Sequence, residues 1–154
     1  MYNKKLASEV RSKFWTTFGK YMDPVPSISE TKVNWINYKT EVKHIYFRMD
    51  AENKTARIGI EITHRDKGLR NLFYEQFEEF KFLLHTTLNE EWCWDNSYTS
   101  ESGNEIATIY TQLHSKSIFN ENDWGEIFTF FKSRIIALDE FWSDAKDIFK
   151  DLES

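Results

Sequence analysis

"YKTEVKHIYFRMDAENKTARIGIEITHRD", residues 38–66, decides the fold. It contains two runs, 42–50 and 57–63, in which apolar and polar residues alternate. A period of two sends successive side chains to opposite faces, so each run reads as a half-buried strand. "ENKT" lies between them. Pairing Glu52 with Thr55 leaves Asn53-Lys54 as a two-residue turn, and asparagine is the residue there that best tolerates positive φ. That register puts Ile45, Phe47 and Met49 on one face with Ile58, Ile60 and Ile62. His44, Tyr46, Arg48 and Asp50 share the other with Arg57, Gly59, Glu61 and Thr63. One oily face and one ionisable face is the pattern of an antiparallel sheet covered on one side.

Upstream of this hairpin, Leu6, Val10, Phe14, Phe18 and Tyr21 recur at helical spacing, with Lys5, Arg11 and Lys13 off the stripe. "DPVPSISET", 23–31, ends that helix with two prolines and several turn formers. It is the longest loop in the pattern and the segment expected to move. Downstream, Asp66 stands where it can cap a helix running to about Leu88. Leu69, Phe73, Phe77, Phe80, Leu84 and Leu88 form its stripe.

"EEWCWDNSY" alternates again, with Trp92, Trp94 and Tyr98 on one side and Glu91, Cys93 and Asp95 on the other. "TSESGN" turns the chain, and "EIATIYTQL" makes a fourth strand. The final segment, 120–154, is one long helix. Asp123 followed by Glu126 reads as its capping box. Its stripe of Ile127, Phe131, Ile135, Leu138, Phe141 or Trp142, Ala145, Ile148 and Leu152 is widened by Phe128, Phe130 and Ile136. Such a helix is either wedged between layers or offers a second apolar face to another subunit. The expected fold is a single α+β domain over 1–154. Its order is α-β-β-α-β-β-α, an antiparallel sheet of about four strands with helices packed on one face.

Aromatic residues make up 17% of the chain, against five glycines and two prolines, so regular elements and short loops should dominate. Cys93 is the single cysteine, which rules out an internal disulfide and points to a reducing compartment. The opening "MYNKKLASEVRSKFW" carries charges where a signal peptide needs an apolar run. No stretch approaches the roughly 20 apolar residues of a membrane span. A soluble cytoplasmic protein with no membrane partner is expected. Net charge is −5, unevenly placed. Residues 1–48 hold nine Lys or Arg against four acids, whereas 49–154 are acidic overall. The basic third is either a face for phosphate or nucleic acid, or a set of charges that solvate separate helices or pair with the acidic part.

Several chemistries lack their residues. The glycines are isolated, so no loop cradles a phosphate in the manner of a nucleotide-binding motif, and there is no Gly-x-Ser-x-Gly elbow. One cysteine excludes multi-cysteine zinc sites. Glu61 and His64 are three apart at a strand end, and strand geometry sends them to opposite faces. Asp50 and Glu61 have the separation of a metal-dependent nuclease hairpin, but Thr63 stands where such an enzyme needs lysine. No catalytic residue, metal or cofactor is expected. The polar hairpin face remains. Arg48 and Glu61 are diagonal neighbours there, with Gly59 leaving room above the arginine. They read either as a surface ion pair or as part of a shallow patch with Lys43, His44 or Tyr38.

"NYKTEVKHIYFRMDA", "ARIGIEITHRD", "LFYEQFEEFK", "EEWCWD" and "SIFNENDWGEIFTFFKSRIIALDEFW" together resemble a bacterial family, the domain of unknown function 4268. The resemblance covers about 14–149. Members similar to this chain occur alone or at the C-terminal end of longer chains whose N-terminal part looks nuclease-related. The resemblance therefore implies association with nucleic-acid or defence systems, and no activity for the domain itself. Its polar motif positions fall on Lys43, Arg48, Glu61, Glu75 and Arg134. With His44 these make the candidate binding or ion-pair network. The expected function is a non-catalytic interaction or accessory module, homodimeric through its aromatic-rich helices. The alternative is a nucleic-acid-associated protein, either a DNA-binding accessory domain or a degenerate nuclease linked to restriction or defence.

Overall fold

A computed structural model describes residues 3–153. Its elements are α1 (Lys4–Met22), β1 (Ile45–Ala51), β2 (Thr55–Ile62), α2 (Lys67–Glu79), α3 (Lys81–Leu88), β3 (Cys93–Thr99), β4 (Glu105–His114) and α4 (Trp124–Glu153), the last preceded by a short 3₁₀ turn. The four strands form one antiparallel sheet in the order β1-β2-β4-β3. The first hairpin adopts the expected register, with Tyr46 opposite Glu61 and Arg48 opposite Gly59. Glu52 and Thr55 bracket its turn through a 2.9 Å backbone hydrogen bond. Asn53 does not take positive φ, so the turn is made without the left-handed backbone anticipated there.

All helices lie on the oily face. Ile58, Ile60, Ile62 and Ile109 are fully buried beneath α2 and α4. The core is aromatic: Phe77 lies 4.3 Å from Phe149, and Trp142 lies 5.2 Å from Phe149, centroid to centroid. Such rings bury large areas and lock one another's geometry. The second apolar face of α4 is covered within the chain. Phe128 packs on Phe14 and Phe18 of α1, so α4 is wedged between α1 and the sheet.

Three local features depart from the sequence pattern. The helix starting after Asp66 breaks at Phe80, whose N–H is shared between Gln76 O and Phe77 O. Asp66 does cap it, accepting from Leu69 N at 2.8 Å. At the start of α4 the capping box is not formed. The Asp123 carboxylate turns back to accept from Ser117 N at 3.0 Å, and Glu126 pairs with Lys116. In β3 the register shifts between Asp95 and Tyr98. An extra residue in one strand flips every later side chain to the other face. Tyr98 therefore lies opposite Ile106, on the side of Cys93 and Asp95 rather than with Trp94.

The long segment 23–44 is tied to α4. Trp142 Nε1 donates to Thr40 O, and the Asp139 carboxylate holds Ser27, Ile28 and Tyr38. Of the basic N-terminal third, Arg11, Lys13 and Arg48 pair with Glu52, Glu121 and Glu61 of the acidic part. Among the described residues, no helix is long and apolar enough to cross a membrane.

Candidate functional site

The face of the sheet away from the helices is open. Tyr46 and Arg48 of β1, Arg57 and Glu61 of β2, Thr108 and Tyr110 of β4, and Tyr98 of β3 share it. A groove of about 910 Å³ runs along it. Arg48, Arg57, Gly59 and Glu61 line its floor. Its walls are the β3–β4 turn, 100–104, and the entry to α2 with Arg65, Lys67 and Arg70.

Each arginine in the groove is held differently. Arg48 Nε donates to Glu61 Oε1 at 3.1 Å, and its guanidinium lies 4.4 Å from the Tyr46 ring centroid. Both pair members reach solvent, so the ion pair contributes under about 1 kcal/mol. Arg70 is buried on α2. It donates to His64 O at 2.9 Å and forms an ion pair with Glu105. Arg57 lies against Tyr98 and Tyr110, its guanidinium carbon 4.5 and 3.9 Å from two ring centroids that are 6.3 Å apart, so the rings flank it at about a right angle rather than from opposite sides. Nη1 donates to Tyr98 Oη at 2.6 Å, and Nη2 to Thr108 Oγ1 at 3.4 Å. Two cation–π contacts and these two hydrogen bonds hold the guanidinium without neutralising its charge.

Tyr110 reaches Arg57 because Gly59 is its cross-strand partner. A Cβ at position 59 would stand 2.8 Å from Tyr110 Cβ. The space above Gly59 thus belongs to Tyr110 rather than to Arg48.

The family model named Domain of unknown function (DUF4268) matches residues 10–146. The chain belongs to this family. No curated protein and no solved structure matches it.

The DUF4268 domain separates the residues singled out from its sequence. Arg48 and Glu61 meet in the groove as a pair. Arg134 lies in the helical layer, where Nε and Nη2 grip both Glu90 oxygens at 2.9 and 2.8 Å. Glu75 is exposed on α2. Lys43 is exposed before β1, its backbone N–H donating to Glu153. Tyr38 leaves the hairpin altogether, stacking on Phe47 and donating to Asp139 at 2.5 Å. Burial first, and then that carboxylate, push the Tyr38 hydroxyl well above the ordinary tyrosine range.

The network is therefore one groove pair, one helix-layer pair and isolated surface charges. Arg57, Arg70, Tyr98 and Tyr110 were not singled out from the sequence. The strand alternation places Arg57 on the polar face, but its meeting with the tyrosines depends on the β2–β4 pairing and on the β3 bulge.

His44 sits at the entry to β1 with φ 68°, and its ring lies 4.7 Å from that of His64. His64 is buried against Phe73, on the side opposite Glu61. Burial, then the neighbouring His44 and Arg70, hold its pKa below the ordinary imidazole value. An unfolded chain protonates this ring at about pH 6.5, the folded chain only at lower pH. The unfolded state thus binds more protons in that interval, and stability falls as pH drops below about 6.5. A His64→Leu variant should show a shallower loss in urea titrations over that window. Identical slopes would contradict the assignment.

Proposed function

We propose that this DUF4268 domain is a non-catalytic interaction module, and that the open face of its sheet is the surface that meets the partner. The observation carrying this reading is Arg57. It is a half-buried cation on the floor of the groove, held by two tyrosine rings and two hydroxyls, with no carboxylate pairing it among the described residues. A fold gains little from immobilising an unpaired guanidinium on its own wet face. A partner gains a pre-oriented donor set. The pairing of Arg11, Lys13 and Arg48 with carboxylates argues against a continuous basic face for nucleic acid.

The test is site-specific photo-crosslinking in the producing cell. A benzophenone side chain replaces Tyr46 on the open face or Phe82, which is 85% exposed on α3. Adducts are expected from position 46 and should disappear in the Arg57→Glu background. Adducts from position 82 alone would move the working surface to the helices.

A further inference from the structure

Arg57 belongs by register opposite Gln112, yet its head reaches Thr108, four residues along β4 and opposite Glu61. It is thereby drawn toward the end of the sheet where the groove is walled by Arg65 and Lys67. A guanidinium has five N–H donors. Arg57 gives one to Tyr98 and one to Thr108, which leaves three uncommitted. With Arg48 paired to Glu61 and Arg70 to Glu105, the groove keeps three cations without an ion pair among the described residues: Arg57, Arg65 and Lys67. Two groove carboxylates likewise form no ion pair among the described residues: Asp50, which stands opposite Arg57 by register and acts on Arg11 through its charge, and Glu101. Asp50 lies at the hairpin end of β1, and Glu101 lies in the turn joining β3 to β4, at the opposite end of the sheet.

We propose that the groove binds a phosphate monoester, its dianionic head held by Arg57 with Arg65 and Lys67 at the rim. The inference rests on reading the open face as the working surface. A fixed guanidinium edge matches two phosphate oxygens at once, and charge-assisted bonds of this kind are the strong ones. Three cations suit a dianion better than a single carboxylate. A polyanion laid across the face would meet Asp50 at one end and Glu101 at the other, on a chain of net charge −5. The charge arrangement therefore selects one compact anionic head over a nucleic-acid strand.

The experiment is an NMR titration of the full chain with inorganic phosphate, acetate, phenyl phosphate and a single-stranded oligonucleotide. Phosphate and phenyl phosphate should produce saturable shifts at Arg57 Nε–H and at the Tyr98 and Tyr110 rings. Acetate should bind more weakly. Arg57→Met should weaken phosphate by about tenfold or more, the loss of charge-assisted bonds. The exposed pair Arg65→Ala with Lys67→Ala should weaken it several-fold without changing the unfolding midpoint.

Absent shifts, undiminished binding in both variants, or binding of the oligonucleotide alone would overturn the proposal. If phosphate fails while crosslinks still form from position 46, only the ligand class falls. If crosslinks arise from the helices instead, the surface reading falls too.

Discussion

Replacing Asp139 by alanine is expected to cost the fold about 3 kcal/mol and to release the segment between α1 and β1. Asp139 is 3% exposed on α4. Its Oδ2 accepts from Ile28 N at 2.7 Å and Ser27 Oγ at 2.9 Å, and its Oδ1 from Tyr38 Oη at 2.5 Å. Hydrogen bonds to a charged acceptor contribute about 1.5–3 kcal/mol each, so the gross loss is larger than the net. Two effects reduce it. The alanine no longer carries the desolvation cost of a buried carboxylate, which is several kcal/mol. The orphaned donors also sit on an irregular segment that can turn toward water.

Asp139→Asn should lose about half as much, since it keeps one acceptor but points an NH₂ group at donors. Urea midpoints give the energies. Hydrogen exchange at the Ile28 amide gives the mechanism, because its protection should vanish in Asp139→Ala. A change within about 0.5 kcal/mol, the usual range for an unimportant surface site, would show that the segment is held by something else. Tyr38 and Thr40 brace the entry to β1 through Phe47 and Trp142, so loosening should spread to the edge of the open face.

What the sequence carried well is what depends on near neighbours. The hairpin register followed from the period-two alternation and the short turn, and the Asp66 cap from one residue before a helical stripe. What it missed depends on contacts distant along the chain. The break at Phe80 leaves the apolar spacing from Phe73 to Leu88 intact, so no pattern announces it. Asp123 and Glu126 have capping-box spacing, but Ser117 and Lys116, brought close by the preceding turn, attract the two carboxylates.

The costliest miss is the bulge between Asp95 and Tyr98. In "WDNSY" nothing marks an inserted residue, yet it moves Tyr98 across the sheet and brings it against Arg57. The widened stripe of α4 was legible, but only tertiary packing shows that α1 covers it.

Gly59→Ala tests whether that arginine–tyrosine cluster was built at the expense of a strand residue. In a strand interior, alanine is normally better than glycine by about 0.5–1 kcal/mol, because glycine loses more backbone freedom on folding. Here the new Cβ would stand 2.8 Å from Tyr110 Cβ and 3.0 Å from Ile109 O. Those atoms belong to or adjoin the main chain of the central strand pair, so no side-chain rotation relieves the contact. Overpacking of this kind costs about 1–3 kcal/mol, which exceeds the propensity gain. Gly59→Ala should therefore destabilise by about 1–2 kcal/mol, the difference of these two terms.

Gly125→Ala is the internal control. It lies in the first turn of α4 with nothing within 4 Å of an added Cβ, and should stabilise by up to about 1 kcal/mol. Opposite signs at the two glycines would isolate the contact with Tyr110. The same Gly59→Ala protein should bind phosphate more weakly, because displacing Tyr110 removes one of the two rings that hold the Arg57 guanidinium. Stabilisation at both positions would mean that the strands separate freely enough for Tyr110 to yield. The guanidinium would then be positioned by Tyr98 and Thr108 alone.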